Sequence, residues 1–147
     1  MILPDVNVLV FAHREDAVDH THYRHWLEGI LQSGQPYGIS DHVLSGFLRV
    51  VTHPRVFTPP SPIRLALDFV RQVREQPHCR LIVPGSRHWQ MFIGLCQSIS
   101  AAGNLVPDAW FAALAIEANC EWITTDRDYE SFSGLRWRHP LTGKASG

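Results

Sequence analysis

The stretch MILPDVNVLVFA, residues 1–12, decides how the rest of the chain is read. One acid, Asp5, and one amide, Asn7, stand in a segment otherwise as apolar as a protein core. A short run rich in Val and Leu suits a strand covered on both faces, and such strands belong to parallel sheets flanked by helices. Residues 2–12 are therefore read as the central strand, with Asp5 near its end and a tight passage into a helix beyond. In a sheet of that type the carboxyl ends of the strands share one edge, where ligands bind. An acid at that edge is a candidate for chemistry.

Outward from this strand the apolar spacing alternates between helix and strand. Tyr23, Trp26, Leu27, Ile30 and Leu31 fall on one helical face that Gly34 stops. QPYGIS, residues 35–40, reads as a brief strand. Ser40 or Asp41 then caps a helix whose broad apolar face runs from Val43 to Val51 and which ends before Pro54. Its narrower polar stripe is His42, Ser45, Gly46 and Arg49. Beyond the proline-rich FTPPSP, residues 57–62, a surface helix carries Ile63, Ala66, Leu67, Val70 and Val73 inward and Arg64, Asp68, Arg71 and Arg74 outward. CRLIVPG (79–85) reads as a strand, RHWQMFIGLCQSISA (87–101) and VPDAWFAALAIEANC (106–120) as helices, and EWITTD (121–126) as a strand ending in an acid. This order predicts a three-layer α/β/α domain with a mostly parallel central sheet of four to five strands. A single domain is expected over residues 1–141, with a flexible tail at 142–147.

Composition removes several function classes. At 147 residues the chain buries a sizeable core alone. No apolar run approaches the roughly 20 residues that span a bilayer, and Asp5 interrupts the amino-terminal stretch, so a cytoplasmic chain is expected. Three cysteines, Cys79, Cys96 and Cys120, without CxxC spacing read as reduced core thiols. A net charge of −1 gives no global pull toward nucleic acid. HTHYRH, residues 20–25, holds His20, His22 and His25, yet no carboxylate or cysteine stands at metal-ligand spacing from them. The five tryptophans read as core or subunit packing, Trp26, Trp89 and Trp110 falling in helical apolar patterns.

Three acids remain to be explained. Asp5 and Asp126 each lie at or just past a strand end, and Asp108 lies in the first turn of a helix, where the dipole favours a carboxylate and the side chain is able to face the same crevice. Singly, each has a structural reading: Asp5 as a cap, Asp108 as a helix-start residue, Asp126 within a surface turn. Together, at the ends of successive elements of one sheet, they point toward a site. Clustered carboxylates repel one another and persist only when protons or a cation compensate them, and oxygen ligands suit Mg²⁺ or Mn²⁺. Asn7, one strand period from Asp5, either orients it or sits in a turn.

The motifs DVNVLVFAHR (5–14), GFLRVVTHPRVF (46–57), GNLVPDAWFAALAIEANCEWITTDRDY (103–129) and FSGLRWRHPL (132–141) resemble the PIN-domain ribonucleases that serve as VapC toxins of toxin–antitoxin modules, particularly the mycobacterial type. The resemblance spans nearly the whole chain in order. It implies an endoribonuclease dependent on Mg²⁺ or Mn²⁺ that yields a 5′-phosphate and a 3′-hydroxyl. It also implies an RNA substrate such as a structured tRNA or rRNA loop, a neutralising VapB-like antitoxin, and a homodimer. Asp5, Asp108 and Asp126 match the family's first, third and fourth acids, Asp128 is an occasional helper to the metal, and Asn7 and Ser40 are supporting residues. Arg14, Arg49 and Arg127 adjoin the acid-bearing segments as phosphate contacts, or else as surface ion pairs. One position departs from the pattern: the family's second acid, a Glu six residues beyond a Ser like Ser40, falls here on Gly46. Glu117 is out of phase with Asp108 on its helix, and Asp41 and His42 lie nearer the vacancy.

Other acid-bearing α/β families fit less well. A phosphatase of the haloacid-dehalogenase type needs an Asp where Asn7 stands, and a receiver domain needs a late lysine, whereas Lys144 in the tail is the only lysine. The rival from another class is a PIN-fold module that lost its nuclease with the second acid and only binds RNA or antitoxin.

Overall fold

The computed structural model describes residues 1–142; residues 143–147, most of the expected tail, lie outside the described residues. The apolar opening stretch divides in two. Only Ile2–Pro4 is strand (β1), and Val6–His13 is helix (α1). The expected strand over 2–12 is thus corrected to a three-residue strand and a buried helix, and Asn7 lies in the first helical turn, not one strand period along. The reason is Asp5, which holds extended backbone and accepts the Val6 N–H on Oδ1 at 2.6 Å, capping α1. Three valines are weak helix formers, but Val8, Leu9, Val10 and Ala12 are buried, and burial overrides propensity in a helix apolar all round.

The remaining elements are α2 (His20–Gln32), β2 (Tyr37–Ile39), α3 (Asp41–Val51), α4 (Ile63–Arg74), β3 (Cys79–Leu81), α5 (His88–Ile99), α6 (Leu105–Glu117), β4 (Glu121–Ile123), a 3-10 turn over Arg127–Ser131, and β5 (Trp137–Arg138). All pairings are parallel: β1 with β4, β4 with β5, and β2 with β3. The strands form ladders of three and two, and β4, not β1, is the middle of the larger one. Gly38 lets β2 lie against β1, since a Cβ there would stand 3.2 Å from the Ile2 carbonyl oxygen and 2.8 Å from Ile82 Cγ1. The helices cover these strands as a three-layer α/β/α domain, α1 packing on α2 and α3, and α5 on α6. Trp122, Tyr37, Tyr129 and Phe47 are the largest wholly buried side chains.

Sequence spacing placed α2 to α6 closely, Ser40 caps α3 as expected, and Gly34 follows α2 with φ +74°. Of the cysteines, Cys120 is buried and Cys79 and Cys96 are half-buried; all three are free. Among the described residues, no helix is long and apolar enough to cross a membrane.

Candidate active site

The β1–β4 ladder builds the site. Ile2, Leu3 and Pro4 stand opposite Glu121, Trp122 and Ile123, and the Asp5 N–H continues the ladder to the Ile123 carbonyl at 2.8 Å. The next step in register brings Asp5 beside Thr124, both buried. The Thr124 hydroxyl donates to Asp5 Oδ2 at 2.7 Å and accepts from the Asp126 N–H at 3.1 Å. Asn7 bridges the same seam: its Nδ2 lies 3.3 Å from Asp5 Oδ2 and its Oδ1 accepts from the Thr125 N–H at 3.3 Å. Asp126 in turn caps the 3-10 turn by accepting from the Asp128 N–H, and that turn carries Tyr129 inward to donate to Asp108 Oδ1 at 3.2 Å.

Asp5, Asp108 and Asp126 line one cavity of about 610 Å³ at the carboxyl ends of β1 and β4. Burial pushes the Asp5 carboxyl up to about 6; the bonds from Thr124 and Val6 pull it down, and the charges of Asp108 and Asp126 push it up again. Asp108 is also raised, first by burial and then by Asp126 and Asp128, against the lowering bond from Tyr129. Burial and the surrounding carboxylates raise the Tyr129 phenol, so it remains a proton donor. Among the described residues, none of the three acids is in an ion pair. Nor does any group of three His, Cys, Asp or Glu among them stand close enough to hold a metal ion as placed. Three oxygen-bearing acids around one opening match the donor chemistry of a hard divalent cation.

Residues 2–135 match the family model described as PIN domain. The chain is 44% identical to ribonuclease VapC43 of Mycobacterium tuberculosis over 98% of both proteins. It belongs to the PIN-domain family of VapC ribonucleases. Among solved structures, it superposes on one chain of the structure of VapBC2 from Rickettsia felis bound to a promoter DNA fragment, with a TM-score of 0.67, at 19% identity, covering 95% of this chain and 98% of that one. It matches VapC20 of M. tuberculosis, a sarcin-ricin loop cleaving toxin, with a TM-score of 0.63, at 14% identity, covering 92% and 98%. These two likenesses show a common fold.

This VapC-type chain distributes its other sequence-derived candidates unevenly. Arg49 lines the acid cavity with His42, Ser45 and Gly46, so the polar stripe of α3 faces it. Arg14 does not: its guanidinium grips Asp16 at 2.7 and 2.9 Å, donates to Ser61 at 3.1 Å and lies over the Phe57 ring. Arg14 follows the eight-residue α1 that Asp5 begins, which separates the two by about 12 Å of helix. Arg127 projects into solvent near Glu130, and Ser40 serves as the α3 cap. Asp128, Asp126's partner in the turn, does not line the cavity, although its charge reaches Asp108. Asp41 is held by Arg74 at 2.8 and 3.2 Å, away from the vacancy it was a candidate to fill. Glu117 binds the N–H groups of Gly85 and Arg87, as its phase on α6 requires. His20 bonds the Phe11 carbonyl, which gives HTHYRH a structural use, and the exposed His22 lies 3.8 Å from Asp19.

Gly46 has a packing reason. A Cβ there would lie 3.0 Å from Val6 Cγ2, so the glycine admits α1 beside α3. Sequence reasoning missed Thr124 and Tyr129. The signal for Thr124 was its place between a strand and Asp126; for Tyr129 it was an aromatic hydroxyl in an acidic turn, which needs a partner once buried.

Proposed function

We propose that this chain is a VapC-type toxin: an endoribonuclease dependent on Mg²⁺ or Mn²⁺, acting on an accessible loop of structured RNA and held in check by a VapB-like antitoxin, with the chain itself a homodimer. The observation that carries this reading is the convergence of Asp5, Asp108 and Asp126 on one cavity without a cationic partner among the described residues. These three acids would hold the metal. When bound, the ion lowers the pKa of a water and offsets charge on the phosphate.

The chain's own residues perform the remaining tasks. Thr124 and the Val6 N–H fix both oxygens of Asp5, so its carboxylate presents one orientation. Tyr129 fixes Asp108 through Oδ1, and Asp126 is tied by its N–H to the Thr124 hydroxyl and by its Oδ1 to the Asp128 N–H. Arg49, the only arginine among the described cavity residues, offers a guanidinium fork to the phosphate oxygens. Attack of water at phosphorus, with the 3′ oxygen departing and taking a proton, leaves a 5′-phosphate and a 3′-hydroxyl.

The alternative, a binding module without cleavage, rests on the missing acid at Gly46. One experiment separates them. Purified chain is incubated with labelled RNA in Mg²⁺, in Mn²⁺, and in either with EDTA, beside Asp5→Asn and Asp108→Asn. Cleavage that requires the metal and both acids supports the nuclease; RNA binding without metal-dependent cleavage supports the module.

A further inference from the structure

A second cavity, of about 320 Å³, adjoins the acid cavity and is walled almost wholly by rings and apolar groups: His42 of α3, Phe92 of α5, and Val106, Pro107, Trp110 and Phe111 of α6. His42, Pro107 and Phe111 line both cavities, so the two are neighbours on either side of the residue next to Asp108. The ring of His42 lies 4.7 Å from that of Trp110 and 5.2 Å from that of Phe111, and Trp110 and Phe111 stand edge to face at 5.5 Å. Behind them the buried His88 donates from Nε2 to the Trp110 carbonyl at 2.9 Å and packs its ring edge-on against the indole at 4.6 Å. The imidazole thus braces one side of the indole.

We infer that this slot is a nucleobase subsite: it takes the base of one nucleotide flanking the scissile phosphate, stacked on Trp110 with its edge toward Phe111, while the phosphate lies over the acids. The inference rests on the reading of the acid cavity as the cleavage site. Its occupant follows from three features. The shared wall at Pro107 places the slot one residue from Asp108 and the cleavage chemistry. Its volume stands at the lower end for ligand pockets, enough for a single ring system. Its aromatic walls match the flat face of an unstacked base, the means by which proteins hold single-stranded RNA. Trp110, expected from the sequence to be packing, thus keeps its ring only half-buried for a reason.

A double-mutant cycle tests this. Wild-type chain with Mn²⁺ cleaves a random-sequence RNA pool, and the sequenced ends define a short RNA with one cut site. Abasic nucleotides then replace, in turn, the residues on either side of the cut, and kcat/KM is measured for wild type, Trp110→Leu and Trp110→Phe. At one of the two positions, removal of the base should cost wild type roughly tenfold, the size of one stacking interaction. In Trp110→Leu that cost should fall below about twofold, and in Trp110→Phe, which keeps a ring face, most of it should remain. His42→Ala, at an exposed position of α3, repeats the cycle from the other wall should Trp110→Leu fail to fold. Equal abasic costs in wild type and variants, or no cost at either position, would overturn the subsite while cleavage itself upholds the nuclease. Loss of dimerisation in Trp110→Leu with an unchanged abasic cost would assign the slot to a subunit contact and overturn it too. No cleavage of any RNA by wild type would overturn both readings.

Discussion

Helix α1 has a polar cluster at each end, and the two are built oppositely. At its amino end, Asp5, Asp108 and Asp126 line one cavity without a basic ion-pair partner among the described residues. At its carboxyl end, Arg14 is bound to Asp16, Ser61 bonds both Arg14 and His13, and His13 sits between the rings of Phe47 and Phe69. The second cluster satisfies its own charges and serves the fold. The first leaves negative charge uncompensated, which costs stability in the free chain and creates affinity for a cation. Both ends hold conspicuous charged residues in the sequence; only the pairing distinguishes them.

The contrast is broken most severely by removing one acid. Asp108→Asn should lower RNA cleavage by at least about a hundredfold with the fold intact, checked by cleavage rate beside circular dichroism. Retained activity would remove the cluster from the chemistry. Next in size is pH. The Asp5 carboxyl stands near 6 in the folded chain against 3.8 ordinarily, so the native state holds its proton more tightly. Its contribution to metal-free stability is fully present below about 4 and is lost as pH rises through about 6, a fall of about 2–3 kcal/mol. Asp5→Asn should flatten that slope in denaturant melts from pH 4 to 7, and added Mn²⁺ should offset it at pH 7 in wild type alone.

Tyr129→Phe frees Asp108 from its only described side-chain bond and should weaken Mn²⁺ binding by roughly tenfold, read by calorimetry with thermal stability followed in parallel. Arg14→Ala, at the paired end, should do the reverse: a loss of about 1–2 kcal/mol of stability through Ser61 and Phe57, with an unaltered Mn²⁺ isotherm. The smallest effect is expected at Gly46. Gly46→Glu should lower the metal concentration at half-saturation a few-fold, on the order of 0.5–1 kcal/mol, while Gly46→Ala, which meets the same Val6 methyl, should not.

Much of this was legible in the sequence, in a way that depended on the physics of each signal. The helices α2 to α6 declared themselves by apolar spacing, helped at α3 by the Ser40 cap, and the three acids by recurring at element ends. The opening stretch misled because a continuous apolar run has the same pattern in a buried strand and in a buried helix, and the valines favoured the wrong choice. Asp5 as a cap was the signal that decided it. β5 is two residues long and carries no period to detect. Arg14 was placed near the acids by proximity along the chain, and an eight-residue helix converts that proximity into separation. Thr124 and Tyr129 act through register and turn geometry, which exist only once β1 and β4 are paired.

The central claim is that the uncompensated acids hold a hard divalent cation. Isothermal titration of the purified chain with Mn²⁺ at pH 6, in two buffers of different ionisation enthalpy, tests it directly. Saturable binding that releases protons as Asp5 ionises, and that is lost in Asp108→Asn, is the predicted result. A flat wild-type isotherm into the millimolar range, or binding unchanged in Asp108→Asn, would contradict it.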